Sequence, residues 1–249
     1  AERPSLPDLE GGAANRVEAL QPTRYFEEAA RLLQINPPAA ADAPLIKKFP
    51  SIGIDWKSGR FNPGKLNSQA LASAVNEGRA RIHAANAAAA AENGWSFSAT
   101  GGSYGVDYLS RAAAARTGIG GALPQDGLEA STRVDASNAR LQGGSRYVLT
   151  FAKNELPPVN AFWSLTLLDD EGRMVDNMLN RYALRGDRLT KNGDGSVTIS
   201  IQAPPPGADK QTNWLPAPKG NFQLVLRLYW PKDDAVNRTW KPPAVKRAD

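Results

Sequence analysis

Asn160, Trp163, Asn177, Asn180, Arg181, Tyr182, Asn213, Trp214, Arg227 and Tyr229 place aromatic rings among amide and guanidinium donors in the C-terminal half of the chain. Such a group suits a sugar, whose C–H faces stack on rings while its hydroxyls hydrogen-bond. It also suits a carboxylated ligand, which an arginine grips through two donors. The competing reading is structural: tryptophans fill sheet cores, asparagines cap turns, and a buried arginine satisfies loop carbonyls. Three carboxylates, Asp107, Asp169 and Asp176, are candidates for hydrolysis of a saccharide or ester, chemistry that needs two carboxyl groups about 5 to 10 Å apart. Each has a local explanation as well. Asp107 stands one helical turn before Arg111, which predicts an ion pair, and the other two flank turns, where aspartate bonds the backbone.

Other chemistries lack their residues. His83 is the one histidine, it sits in an alanine-rich helical pattern, and no nucleophile-elbow motif accompanies it, so no Ser-His-Asp triad can be assembled. With a single histidine and no cysteine, a zinc or other transition-metal site is excluded. The turns "DDEG" and "NGDGS" lack the spaced ladder and distal glutamate of a calcium loop. "TGIGG" follows a helix instead of a strand and has no Lys-Ser/Thr pair after it, so it reads as a helix stop and not a phosphate cradle. No metal and no cofactor are expected.

The chain of 249 residues, 41% hydrophobic, can bury a substantial core. Its net charge of +5 is interspersed with acids except in the tail "KPPAVKR", and no reader motif is present, so nucleic acid is not an expected partner. No apolar run approaches the roughly 20 residues that span a bilayer, which argues against membrane insertion. The sequence starts at Ala1 without a charged-then-apolar leader, as a processed export product or a trimmed chain would. The expected location is periplasmic or secreted, with the cytoplasm as the alternative; zero cysteines fit both.

The elements that must position these residues follow from hydrophobic period. Residues 1–21, rich in Pro, Gly and charge, read as a linker or arm. Residues 22–123 read as mainly helical. Thr23 is the expected N-cap of a helix that Pro37 and Pro38 stop; a long helix over Asn67–Ala91 should bury Leu71, Val75 and Ile82; a third runs over Val106–Thr117 and ends on Gly118, Gly120 and Gly121. From Pro124 the period changes to two. "RYVLTFA", "SVTISIQA" and "NFQLVLRLYWP" alternate, "NAFWSLTLLD" is apolar on both faces as a central strand is, and Arg173–Val175 should fold back beside it after the "DDEG" turn. In the last strand Phe222, Leu224, Leu226, Leu228 and Trp230 form the core face. Arg227 and Tyr229 stand opposite, and Arg227 calls for a carboxylate, with Asp176 or Asp169 the expected partner. The predicted class is α+β: a helical N-terminal segment packed on an antiparallel β-sandwich at 124–249, one compact unit in all.

"NGW" (93–95), "YGVDYLSRA" (104–112), "LPPVNAFWSLTLLD" (156–169), "DNMLNRYAL" (176–184), "NWLPAPKGNFQLVLRLYWP" (213–231) and "TWKPPAVKR" (239–247) occur in this order. In them the chain resembles, over roughly residues 22–247, the C-terminal module of bacterial proteins known as domain of unknown function 1214. The resemblance implies a sandwich of jelly-roll type and an N-terminal companion, domain of unknown function 1254, which this sequence lacks; a site formed between two such modules would be incomplete here. The expectation that follows is an exported module binding a glycan or small polar ligand through the aromatic and polar group above. Two alternatives stay open. One is a hydrolase using a pair from Asp107, Asp169 and Asp176 at the junction with the companion. The other is a purely structural or assembly module, with Arg227 and Tyr229 buried between the subunits of a homo-oligomer.

Overall fold

The structure, a computed structural model, describes residues 12–87, 91–97, 102–117 and 121–248. The chain divides into two compact units, one of residues 1–88 with 104–119 and one of residues 89–103 with 120–249.

The first unit is mainly helical. Its elements are α1 (Gly12–Glu18), α2 (Pro22–Ile35), α3 (Ala43–Ile46), the hairpin β1 (Ile54–Asp55) and β2 (Arg60–Phe61), α4 (Ser68–Ala87) and α5 (Tyr108–Thr117). α1 lies inside the stretch that composition reads as an arm. α2 begins on Pro22 with Gln21 before it, and Thr23 is inside the helix: proline at the first helical position lacks the N–H that a cap would satisfy. Phe26 of α2 stacks on Phe61 of β2 at 5.2 Å. α4 buries Leu71 and Val75 as its period predicts, while Ile82 is half-buried. The glycine stop of the third helix includes Gly118 and Gly120, which lie outside the described residues.

One carboxylate ties three of these helices. Glu18, at the end of α1, accepts hydrogen bonds from Arg116 of α5 and shares one of 3.0 Å with His83 of α4. His83 thus holds α4 to the end of α1. The Arg116 hydrogen bond holds the Glu18 carboxyl below its ordinary pKa. A depressed carboxylate stabilises the fold above its unfolded pKa and releases that contribution as pH falls through the lowered folded value. Lower hydrogen-exchange protection in residues 12–18, after division by the intrinsic rate at each pH, is therefore expected below about pH 4, with Glu18→Gln producing the same loosening at neutral pH. Equal protection factors at pH 7 and pH 3 would remove this tie from the account of α1.

The second unit is built on two sheets. β3 (Ala91–Glu92), β4 (Trp95–Phe97), β5 (Gly127–Thr132), β7 (Val159–Asp169), β8 (Ala183–Arg185) and β11 (Phe222–Pro231) make a six-stranded antiparallel sheet in the order β3-β4-β5-β11-β7-β8. β6 (Arg146–Phe151), β9 (Val197–Gln202), β10 (Trp214–Pro216) and β12 (Lys246–Ala248) make a four-stranded sheet ordered β10-β9-β6-β12. A short helix, α6 (Asp233–Val236), follows β11. Tyr147, Leu149, Phe151, Ile199 and Ile201 of the smaller sheet share one buried cluster with Leu165, Leu167, Leu224, Leu226 and Leu228 of the larger. Alternation at period two sends these side chains to one face of each sheet, and burying that face is the main driving term.

Three details differ from the sequence reading. β10 pairs with β9 in parallel, so the sheets are not wholly antiparallel. The partner of β7 on that side is β8 and not Arg173–Val175; the "DDEG" turn returns only as far as the Asp169 N–H donating to the Arg173 carbonyl, 2.9 Å. Trp230 leaves the core face. The register slips between Tyr229 and Pro231, Trp230 takes φ 50°, and its side chain is 63% exposed. Between these pairs β7 runs three residues while β11 runs two, and the left-handed backbone at Trp230 turns its side chain out of the alternation, which is why the period fails at that position. No helix among the described residues is long and apolar enough to cross a membrane.

Candidate functional site

The polar and aromatic residues singled out by type do not converge. Trp163 is buried in the core with its ring 5.0 Å from that of Phe151. Trp214 is buried, its indole N–H donating to the Gln202 carbonyl at 2.8 Å. Asn213, also buried, donates to the carbonyls of Thr190 and Thr198 and accepts from the Thr190 N–H. Asn177 organises its own loop: it accepts from the N–H groups of Leu179 and Arg181 and donates to the carbonyls of Val175 and Arg181. Arg181 donates to the carbonyls of Gln211 and Trp214. The Tyr182 hydroxyl lies 3.4 Å from both Asp176 and Asn180, and Asn180 takes φ 48°, a conformation asparagine tolerates. The hydrogen bonds of Asn177, Arg181, Asn213 and Trp214 go to the protein's own loops and strands.

The carboxylates are dispersed in the same way. Asp107 accepts from the backbone N–H and hydroxyl of Ser110, which holds its carboxyl below the ordinary value, so it caps α5 instead of pairing with Arg111. Asp169 accepts from the N–H groups of Glu171 and Arg173 within its turn. Among the described residues no three His, Cys, Asp or Glu side chains gather as a metal site would require.

What stays open is one end of the face of the six-stranded sheet opposite Leu226 and Leu228; further along that face Ser164, Thr166, Gln223 and Val225 are buried. Leu226 and Leu228 are buried, and Arg227 and Tyr229 stand opposite them as the alternation predicts. The Arg227 guanidinium donates to Glu129 at 2.8 Å, directly across the β5–β11 pair, and not to Asp169 or Asp176. Both side chains of that pair are well solvated, 38% and 44% exposed. Solvation decides the energetics: Arg227→Ala is expected to cost no more than about 1 kcal/mol, as exposed pairs do, and not the several kcal/mol of an orphaned buried charge. Chemical denaturation measures it, and a loss above about 2 kcal/mol would show that Glu129 is left desolvated.

Beside this pair runs a stack that sequence reasoning missed in part. The Tyr229 ring lies on that of Phe162, its cross-strand neighbour on β7, at 4.4 Å and 20°. The Arg185 guanidinium sits 3.9 Å from the centre of the Phe162 ring. Arg185 is held there by two hydrogen bonds to Asp187, of 2.9 and 2.8 Å, which raise its pKa and lower that of the carboxyl. The neighbour of Tyr229 on β5 is Gly127, and the Ala122 methyl lies 3.2 Å from where a Cβ at Gly127 would stand. Asn160 is exposed near the start of β7, where the register with β11 shifts, and exposed Trp230 adjoins Tyr229 in the chain. The parity of "NAFWSLTLLD" puts Phe162 with Ser164 and Thr166 on the outward face, a signal already present in the sequence. Arg185 and Asp187 carry none, because their position depends on which segment pairs with β7.

Residues 126–233 match the family described as protein of unknown function (DUF1214), so the resemblance seen in the landmarks holds over the C-terminal part of the chain. No curated protein matches the sequence. Among solved structures, the VPA0106 protein from Vibrio parahaemolyticus aligns over 100% of this chain with a TM-score of 0.66 at 21% identity. That likeness is one of fold, and the chain spans 58% of the other protein's length. A putative uncharacterized protein from Burkholderia cenocepacia aligns over 95% of this chain and 52% of its own, with a TM-score of 0.39 at 17% identity.

Proposed function

We propose that the second unit is a non-catalytic carbohydrate-binding module whose ligand lies on the outer face of the six-stranded sheet, along Arg185, Phe162, Tyr229 and Trp230. The observation that carries this reading is the Tyr229–Phe162 stack, with the half-buried Phe162 ring held by Arg185 and Tyr229 37% exposed at its edge. A pyranose ring offers a flat C–H face to such a platform, and the exposed amide of Asn160 and guanidinium of Arg227 supply hydrogen bonds to its hydroxyls. Trp230 supports the same reading. A large aromatic side chain held in the left-handed region, 63% exposed, carries strain that the core does not repay. We read the two sheets as an open sandwich of jelly-roll type, because the chain passes repeatedly from one to the other, and an exported setting goes with a glycan ligand.

The test is affinity electrophoresis in soluble polysaccharides, followed by tryptophan fluorescence titration with oligosaccharides of any that retard the protein. Tyr229→Ala and Trp230→Ala are expected to weaken binding by about tenfold each, the equivalent of roughly 1.4 kcal/mol, with the thermal midpoint unchanged or higher. Retardation that survives both substitutions, or no retardation by any neutral or charged polysaccharide, would remove the reading.

A further inference from the structure

A second candidate site lies in the helical unit, on residues that the sequence reading did not mark for ligand binding. A groove of about 310 Å³ opens between the end of α2 and the segment that carries α3, walled by Leu33, Leu45, Ile46 and Phe49. That volume sits at the lower end of the range of about 300 to 1,000 Å³ in which small-molecule sites fall. Its walls are apolar, and one end is not. There Asp42 is 8% exposed, and each of its oxygens accepts one hydrogen bond, one from the Ala39 N–H at 3.1 Å and the other from the Tyr108 hydroxyl at 3.1 Å. Burial, and then this bond to Asp42, raises the Tyr108 pKa and keeps the phenol protonated as a donor.

Arg111 completes the polar end. Its guanidinium lies 5.0 Å from the centre of the Tyr108 ring and 4.0 Å from Asp42, too far for a hydrogen bond to the carboxylate. Among the described residues its side chain donates no hydrogen bond at all, and it remains 49% exposed. A positioned, unspent planar fork at the mouth of an apolar trough is complementary to one chemistry. Two parallel N–H groups match the two oxygens of a carboxylate, and the trough takes an uncharged body behind it. An ammonium would meet the repulsion of the Arg111 charge at the mouth of the trough. An alcohol would gain the trough but not the ion pair.

We propose that this groove binds a small monocarboxylate with an apolar body, a medium-chain alkanoate in its simplest form, with Arg111 gripping the head group and Leu33, Leu45, Ile46 and Phe49 covering the chain. The site is independent of the carbohydrate reading: its residues belong to the other unit, and its ligand has no ring of hydroxyls.

Isothermal titration calorimetry of the full chain with sodium octanoate tests it, with octanol and octylamine as controls. Saturable one-to-one binding is expected, at least tenfold tighter for octanoate than for either control. Arg111→Gln should weaken octanoate by at least tenfold and leave octanol unchanged. Ile46→Trp, which fills the trough from α3 without touching the head-group end, should abolish binding of octanoate and octanol alike; it keeps the test decisive if the Arg111 variant misfolds. Absence of saturable heat with octanoate overturns the proposal, as does equal affinity for octylamine. So does a folded Arg111→Gln or Ile46→Trp variant, checked by circular dichroism, that binds octanoate as the parent does.

Discussion

Trp95→Ala is expected to lower the free energy of unfolding by about 3 to 5 kcal/mol, the usual cost of deleting a buried large aromatic side chain. Trp95 is fully buried in the core of the sheet unit, and its indole N–H donates to the carbonyl of Pro243 at 2.8 Å. Two residues earlier, Asn93 donates to the carbonyl of Pro242 at 3.0 Å, and the N–H of Ala136 donates to Val245 at 2.7 Å. The tryptophan thus fills the core and ties the C-terminal segment to it. Trp95→Phe separates the two contributions: it keeps most of the packing but leaves the Pro243 carbonyl without its donor, for a smaller loss of about 1 to 3 kcal/mol. Guanidinium denaturation measures both. An alanine variant within 1 kcal/mol of the parent would mean that the C-terminal segment is held by other contacts and that the core closes over the vacancy.

Gly143→Ala is expected to cost about 3 kcal/mol, at the upper end of the range for overpacking. A Cβ at Gly143 would stand 1.4 Å from the carbonyl oxygen of Pro218, and its N–H donates to the Gly220 carbonyl at 3.0 Å. Next to it, Gln142 and Asn221 form an isolated antiparallel bridge, so the loops that lead into β6 and β11 touch backbone to backbone. The clash is with main chain, which cannot swing aside as the end of a flexible side chain can. Gly144, the next residue, has open space around its missing Cβ and serves as the control: Gly144→Ala should change stability by less than about 0.5 kcal/mol. Equal effects at the two positions would show that glycine's chain entropy, and not the close approach, sets the cost.

The sequence carried local information well and long-range information poorly. The alternation of β6, β9 and β11 and the opposition of Arg227 to Leu226 and Leu228 were legible, because a strand's two faces are decided within a few residues. The partner of Arg227 was not: Glu129 lies 98 residues away, and only the register between β5 and β11 brings it opposite. Trp230 was misplaced because a register shift leaves no mark in hydrophobic period. Among the candidate site residues, composition selected side chains able to hydrogen-bond a ligand but could not say whether the protein had already used them. Asn213, Trp214 and Arg181 had been used, on carbonyls that loops would otherwise leave unpaired. Arg111 reversed the case: read as the ion-pair partner of Asp107, it is the cation whose donors remain unspent. The landmarks "NGW" and "KPPAV" could be seen to recur in one family, but their meeting through Trp95 and Pro243 is a fact of the fold.

The outermost strands of both sheets are β3 and β8 in the larger and β10 and β12 in the smaller, of two, three, three and three residues. The long strands β7 and β11, of 11 and 10 residues, are interior to their sheet. A free strand edge is a template on which another chain can nucleate an intermolecular ladder, and its hazard grows with length and apolar character. Here the central part of each segment with the greatest amyloid character, "FWSLTLL" and "FQLVLRLYW", is paired on both flanks: residues 224–229 lie between β5 and β7, and residues 164–166 between β11 and β8. Proline in β10 and two adjacent cations in β12 blunt the margins of the smaller sheet. A fibril would thus have to start from short or blunted margins and not from the middle of the most apolar strands.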